Sequence, residues 1–134
     1  MRNIPRILIA AAALLLVAGL APAQQKPNPA PLVGSWALEV NAGGEFYYLT
    51  LDLKLADGKL AGLLGEQNGM FKDIPLANVE FDGTTLKFDV KIPTPPDGQE
   101  RLVKFEMKLN GGKLEGILTV AEMGLSAGVN GVKK

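Results

Sequence analysis

The sequence predicts an all-β fold, an antiparallel up-and-down barrel of about eight strands, with a two-sheet sandwich as the alternative. Residues 51–64, LDLKLADGKLAGLL, return in altered form as residues 105–118, FEMKLNGGKLEGIL. Lys54, Leu55, Gly58, Lys59, Leu60, Gly62 and Leu64 each recur in the second copy as the same residue type. Both copies alternate apolar with polar side chains, the period of a strand with one dry and one wet face. Both break at a dipeptide, Asp57-Gly58 or Gly111-Gly112, that supplies the positive φ of a tight hairpin turn. Consecutive hairpins pair as neighbours, and a long meander must either close or leave two exposed edges; closure into a barrel removes the edges.

Taken in order, the chain opens on residues 1–23, with Arg2 and Arg6, an apolar run from Ile7 to Leu20, and then Ala21-Pro22-Ala23. This is the pattern of a cleaved secretory signal. The apolar run is shorter than the roughly 20 residues of a spanning helix, so no membrane span is expected after cleavage. Export follows, to the periplasm or the medium. Residues 24–31, QQKPNPAP, read as a proline-rich tether. Residues 32–134 form one β domain.

In that domain Trp36, Leu38 and Val40 share a face of the first strand, and NAGG at 41–44 turns it. The second strand sets Tyr47, Leu49, Leu51, Leu53 and Leu55 inward, answered by Leu60, Gly62 and Leu64. Gly62 and Gly116, at matching inward positions, mark a sharp coil or bulge, or else leave space for a ligand. Residues 65–74 are irregular, with Met70 and Phe71 able to cap the core. A short strand at 76–81 changes phase between Leu76 and Val79, and Asp82-Gly83 turns it. Residues 84–92 place Leu86, Phe88, Val90 and Ile92 inward, and PTPPDGQ at 93–99 is a rigid loop. Val103, Phe105, Met107 and Leu109 continue the dry face, then Leu114, Gly116, Leu118 and Val120. Residues 123–132 form a weaker, glycine-rich closing strand.

Composition removes whole classes of function. The chain has no cysteine and no histidine, which excludes disulfides, thiolate sites, most zinc sites and any Ser-His pair. Of its 14 basic residues two lie in residues 1–23, leaving 12 against 14 acidic ones. With that balance and few aromatic residues, no nucleic-acid partner is expected. Alternation alone allows an outer-membrane barrel. That reading would crowd Asp52, Lys54, Lys87, Asp89, Lys104, Glu106 and Lys108 into a narrow lumen, and the strands lack aromatic girdles. The apolar face is therefore expected inside.

Gly34-Ser35-Trp36, at the start of the first strand of a meander, resembles the G-x-W motif of the calycins: lipocalins, fatty-acid-binding proteins and avidins. The resemblance implies a small barrel in which Trp36 plugs the closed end, with Lys133 or Lys134 as the cation over its ring where those families often have Arg. Departures are plain. NAGG is too short for the helical lid of fatty-acid-binding proteins, Arg101 is the one arginine after residue 23, and Trp36 is the single tryptophan. The resemblance lends an architecture and no particular ligand.

The candidate acids for catalysis, Asp57, Asp82 and Asp97, each precede glycine and are better explained by turns. Ser35 and Ser126 have no visible base, and no D-x-D-x-D-G calcium loop occurs. The sequence therefore predicts a non-catalytic exported barrel without cofactor or metal. Its candidate ligand is small and apolar or lipid-like, lined by Tyr47, Leu49, Leu51, Leu53, Phe88, Val90, Val103, Phe105 and Met107. The alternative is a structural or interaction module of the cell envelope, with a solid core and an envelope protein as partner.

Overall fold

Nine strands form one antiparallel sheet in the computed structural model, which describes residues 28–134. The expected signal peptide and the first four tether residues lie outside that range. The strands are β1 Gly34–Ala42, β2 Glu45–Ala56, β3 Lys59–Glu66, β4 Ile74–Pro75, β5 Ala77–Phe81, β6 Thr85–Thr94, β7 Gln99–Asn110, β8 Lys113–Val120 and β9 Leu125–Lys133. They are ordered β4-β3-β2-β1-β9-β8-β7-β6-β5, so the first and last long strands pair at the centre. The edge strands β4 and β5 are consecutive in the chain. One bonds to β3 and the other to β6, which curls the sheet into a nearly closed barrel.

The count is nine rather than about eight because a two-residue strand, β4, forms at Ile74–Pro75, at the end of the segment expected to be irregular, and Leu76 separates it from the expected short strand, β5. Leu76 N–H donates to the Gly62 carbonyl (3.0 Å), Asn78 adopts φ 52°, and the pairing with β6 shifts register between Ala77 and Glu80. That irregularity is the phase change visible in the sequence. A second difference concerns the proline loop: β6 runs through Pro93 to Thr94 and β7 starts at Gln99, so only four residues turn. Beyond Asp89 the outer side of β6 has no strand partner, and proline there costs no ladder bond on that side. At the C-terminal end, Ala121–Met123 form a 3-10 turn before β9.

The two repeat copies are the β2–β3 and β7–β8 hairpins, and their registers coincide. Leu51 faces Leu64, Leu53 faces Gly62 and Leu55 faces Leu60. Phe105 faces Leu118, Met107 faces Gly116 and Leu109 faces Leu114. Both turns have two successive positive φ values, 53° and 76° at Asp57-Gly58, 58° and 81° at Gly111-Gly112, the type I′ pattern that matches strand twist. Gly62 and Gly116 interrupt neither register, so they are not bulges. A Cβ at either would run into a backbone carbonyl of the neighbouring strand, Asp52 or Glu106, so glycine is what lets these strands approach and coil.

The apolar face is inside. Trp36, Leu38, Leu51, Leu64, Leu86, Phe88, Val90, Val103, Phe105, Met107 and Leu114 are all essentially inaccessible, while Lys54, Lys87, Lys104, Glu106 and Lys108 on the alternate positions are exposed. Phe88 and Phe105 face each other across β6 and β7 and stack with centroids 4.7 Å apart, an aromatic pair worth on the order of 1 kcal/mol beyond its buried area. On the outer face the same strands carry the exposed Lys87–Glu106 pair at 3.3 Å.

Candidate functional site

An up-and-down meander puts alternate turns at the same end, and the two ends here differ. One end carries the turns at Asp57-Gly58, Asp82-Gly83 and Gly111-Gly112. Trp36 lies at this end, fully buried, and its indole N–H donates to the Leu32 carbonyl (2.8 Å). Leu32 ends a 3-10 turn at Ala30–Leu32 and is itself buried, so the segment before β1 packs under the barrel floor. Lys133 Nζ stands 5.7 Å from the centroid of the Trp36 ring and donates to the Pro31 carbonyl (3.0 Å). Its stem crosses Gly34, where any Cβ would crowd it. Of the two terminal lysines, Lys133 takes the position over the ring, and Lys134 Nζ donates to Thr50 Oγ1 (3.2 Å) instead.

The opposite end has the Gly43-Gly44 turn, the long loop after β3, the proline turn after β6 and the 3-10 turn before β9. Between them the barrel contains an open cavity of about 300 Å³. Its inner wall is built from the terminal inward residues of six strands: Val40, Leu49, Ile92, Val103, Leu118 and Ala127. Phe71 and Met70 from the loop after β3, Pro95 and Pro96, and Met123 and Leu125 form its rim. The loop is held by Glu66 N–H donating to the Phe71 carbonyl (2.9 Å) and by Gln67 N–H donating to the Tyr48 carbonyl (2.9 Å).

Of the nine residues expected to line a ligand, the structure places Tyr47, Leu49 and Val103 on this cavity. Leu51, Leu53, Phe88, Val90, Phe105 and Met107 lie deeper, in the packed half of the core. They share the inward face but sit on the far side of the cavity floor. Residues that the alternation did not single out as lining include Glu45, Glu66, Ile92, Leu118 and Ala127. The parity of the turns was the available signal: inward residues within a few positions of the NAGG, 65–74 or PTPPDGQ segments must share one end.

Polar groups at the cavity are few. Tyr47 hydroxyl donates to Glu45 Oε2 (2.8 Å), and this bond, then burial, then the Glu45 charge, raise the phenol above its ordinary value and keep its proton on. Glu66 Oε2 accepts from Met70 N–H (2.9 Å). Thr94 is buried; its hydroxyl donates to the Gln99 carbonyl (3.1 Å) and accepts from Arg101 Nη1 (2.7 Å). Arg101 grips both oxygens of Asp97 at 2.9 Å and also donates to Gln99 Oε1 (3.0 Å). That guanidinium, with Gln99 N–H, holds the Asp97 carboxyl down at about 2. Asp82 is likewise lowered, by the backbone N–H groups of Thr85 and Thr84.

The three Asp-Gly carboxylates therefore occupy three separate turns, Asp57 and Asp82 at the closed end and Asp97 at the open one, and do not converge. Among the described residues no group of three or more acidic side chains is placed to hold a metal ion. No helix among them is long and apolar enough to cross a membrane.

No family model matches the sequence, and no curated protein matches it. Among solved structures, a mutant of the fluorescent protein UnaG is similar, at 16% identity and a TM-score of 0.50 over 80% of this chain and 99% of that one. At that identity the likeness concerns the fold, and together with the nearly closed antiparallel barrel it makes the fold of this chain calycin-like.

Proposed function

We propose that this chain is a non-catalytic exported barrel that holds a small apolar or lipid-like molecule in its open end. The observation that carries the reading is the asymmetry of the interior, packed solid beneath and hollow for about 300 Å³ above, with a wall almost wholly of aliphatic and aromatic groups. That volume is at the lower end of the range of about 300 to 1,000 Å³ typical of ligand pockets. It equals on the order of ten water molecules at about 30 Å³ each, so the occupant is compact or leaves part of itself outside. Burying it gains roughly 25 cal/mol per Å² of apolar surface removed from water. Export rests on the basic, apolar and small-residue pattern of residues 1–23.

Native mass spectrometry of protein purified from its own host tests this. The expected result is a retained small molecule lost on denaturation, on a chain beginning near Gln24. Protein that carries nothing and takes up no apolar compound offered to it would overturn the ligand reading.

A second reading, an interaction module of the envelope, is favoured by one observation. Among the described residues, Phe46, Tyr48, Met70, Leu102, Met123 and Leu125 are exposed on the open half, Ile117 midway along β8, and Leu55 and Val132 near the closed end. Such a rim suits contact with a protein that receives or delivers the ligand.

A further inference from the structure

Resting on the ligand-binding reading, the charge and aromatic content of the cavity mouth limit what its occupant carries. The titratable side chains that line the cavity are Glu45, Tyr47 and Glu66; neither lysine nor arginine lines it. Tyr47 stays protonated and its hydroxyl donates a hydrogen bond to Glu45, so it is a neutral donor already in use. Each glutamate spends Oε2 on an internal bond, leaving Oε1 for an incoming donor. The nearest guanidinium, that of Arg101, is committed to Asp97, Thr94 and Gln99, and offers nothing to a carboxylate in the cavity. A second, independent feature is aromatic: Tyr47 and Phe71 line the same space. Ring faces attract cations and repel anions. The Met70 and Met123 side chains at the rim are flexible enough to close around heads of different size.

We propose that the cavity takes an amphiphilic organic cation, an aliphatic or aromatic tail bearing an ammonium group. The tail lies against Leu49, Val103, Leu118 and Ala127, and the ammonium emerges between Glu45 and Glu66 beside the rings of Tyr47 and Phe71. A carboxylate of the same shape meets two like charges at the mouth and finds no counter-charge among the residues that line it.

The test uses three probes with one tail: decylammonium, decanol and decanoate, titrated by calorimetry into the mature protein at neutral pH and low salt. Decylammonium is expected to bind at least about tenfold more tightly than decanoate, with decanol between. In a Glu45→Gln, Glu66→Gln double variant the decylammonium and decanoate affinities should converge while that for decanol holds. Decanoate binding as tightly as decylammonium to the unaltered protein would overturn the cationic assignment and leave the apolar cavity standing. Binding of none of the three would overturn both. A preference that survives the double variant unchanged would likewise refute the role of the two glutamates.

Discussion

At the end of the barrel that carries the Asp57-Gly58 and Gly111-Gly112 turns, the inward positions form a packed core, although Leu55, expected inward, is exposed beside its turn. Trp36, Phe88, Phe105, Leu51, Leu64, Leu86, Met107 and Leu114 leave no accessible surface, and Gly131 gives way to Leu38 and Leu114. At the other end the same alternation continues through Val40, Leu49, Val103, Leu118 and Ala127, yet the space they enclose stays open. What separates the ends is the covering. Below, short turns and the Leu32 segment seal the floor, with Lys133 fixed over Trp36. Above, three longer connections and the Gly43-Gly44 turn stand around the open mouth. A repeated hairpin thus gives a scaffold, and the connections decide where it is hollow.

The contrast is most severely tested at the floor. Trp36→Ala is expected to cost about 3 to 5 kcal/mol, as removal of a fully buried large aromatic does, a large share of the stability of about 5 to 15 kcal/mol of a domain this size. Denaturant titration followed by far-ultraviolet circular dichroism reads it, and a loss below about 1 kcal/mol would mean that the floor is not sealed by this residue. Next comes Gly116→Ala, whose Cβ meets the Glu106 carbonyl; the expected loss is about 1 to 3 kcal/mol. Gly128→Ala, in β9 where a Cβ meets nothing, is its control and should stay within about 1 kcal/mol of the parent.

At the open end a change of similar size should matter for binding and little for stability. Ala127→Leu pushes three extra carbons into the cavity, so the melting midpoint should shift by no more than that of a change of about 1 kcal/mol while uptake of the decyl probes is abolished. Retention of full binding would place the ligand elsewhere. The smallest effect belongs to the proline turn. Asp97 has a folded value of about 2 against an ordinary 3.8, so the unfolded chain binds more protons between those values. The contribution of Asp97 to stability is present above about pH 4 and is lost as pH falls towards 2. Asp97→Asn should flatten the acid limb of the stability profile in that window, and an unaltered limb would show that the Arg101 pair adds nothing.

Much of the fold was legible along the chain because a strand's wet and dry faces repeat every two residues, and because Asp-Gly and Gly-Gly mark turns by backbone chemistry alone. The inward sets around Trp36, Leu51 and Phe105 and the hairpin repeat follow from such local signals, whereas the floor position of Trp36 was implied by the resemblance of Gly34-Ser35-Trp36 to the G-x-W motif. The bulge in β5 was foreshadowed by a phase change, whereas the two-residue strand at Ile74–Pro75 was not legible, since it exists only through its pairing with Leu63 and Leu64 of β3. Pro93 was placed in a loop because the tolerance of an unpaired strand edge cannot be read from proline itself.

The sequence by itself determined an antiparallel meander with an apolar inner face, since both depend on interactions between neighbours in the chain or across one tight turn. Only the tertiary structure decided which end is solid and which is hollow. Packing depends on whether a residue from the opposite wall reaches each inward position, and on where the Phe71, Pro95 and Met123 segments come to rest. Those are contacts between parts of the chain far apart in sequence, and alternation carries no information about depth along the barrel axis.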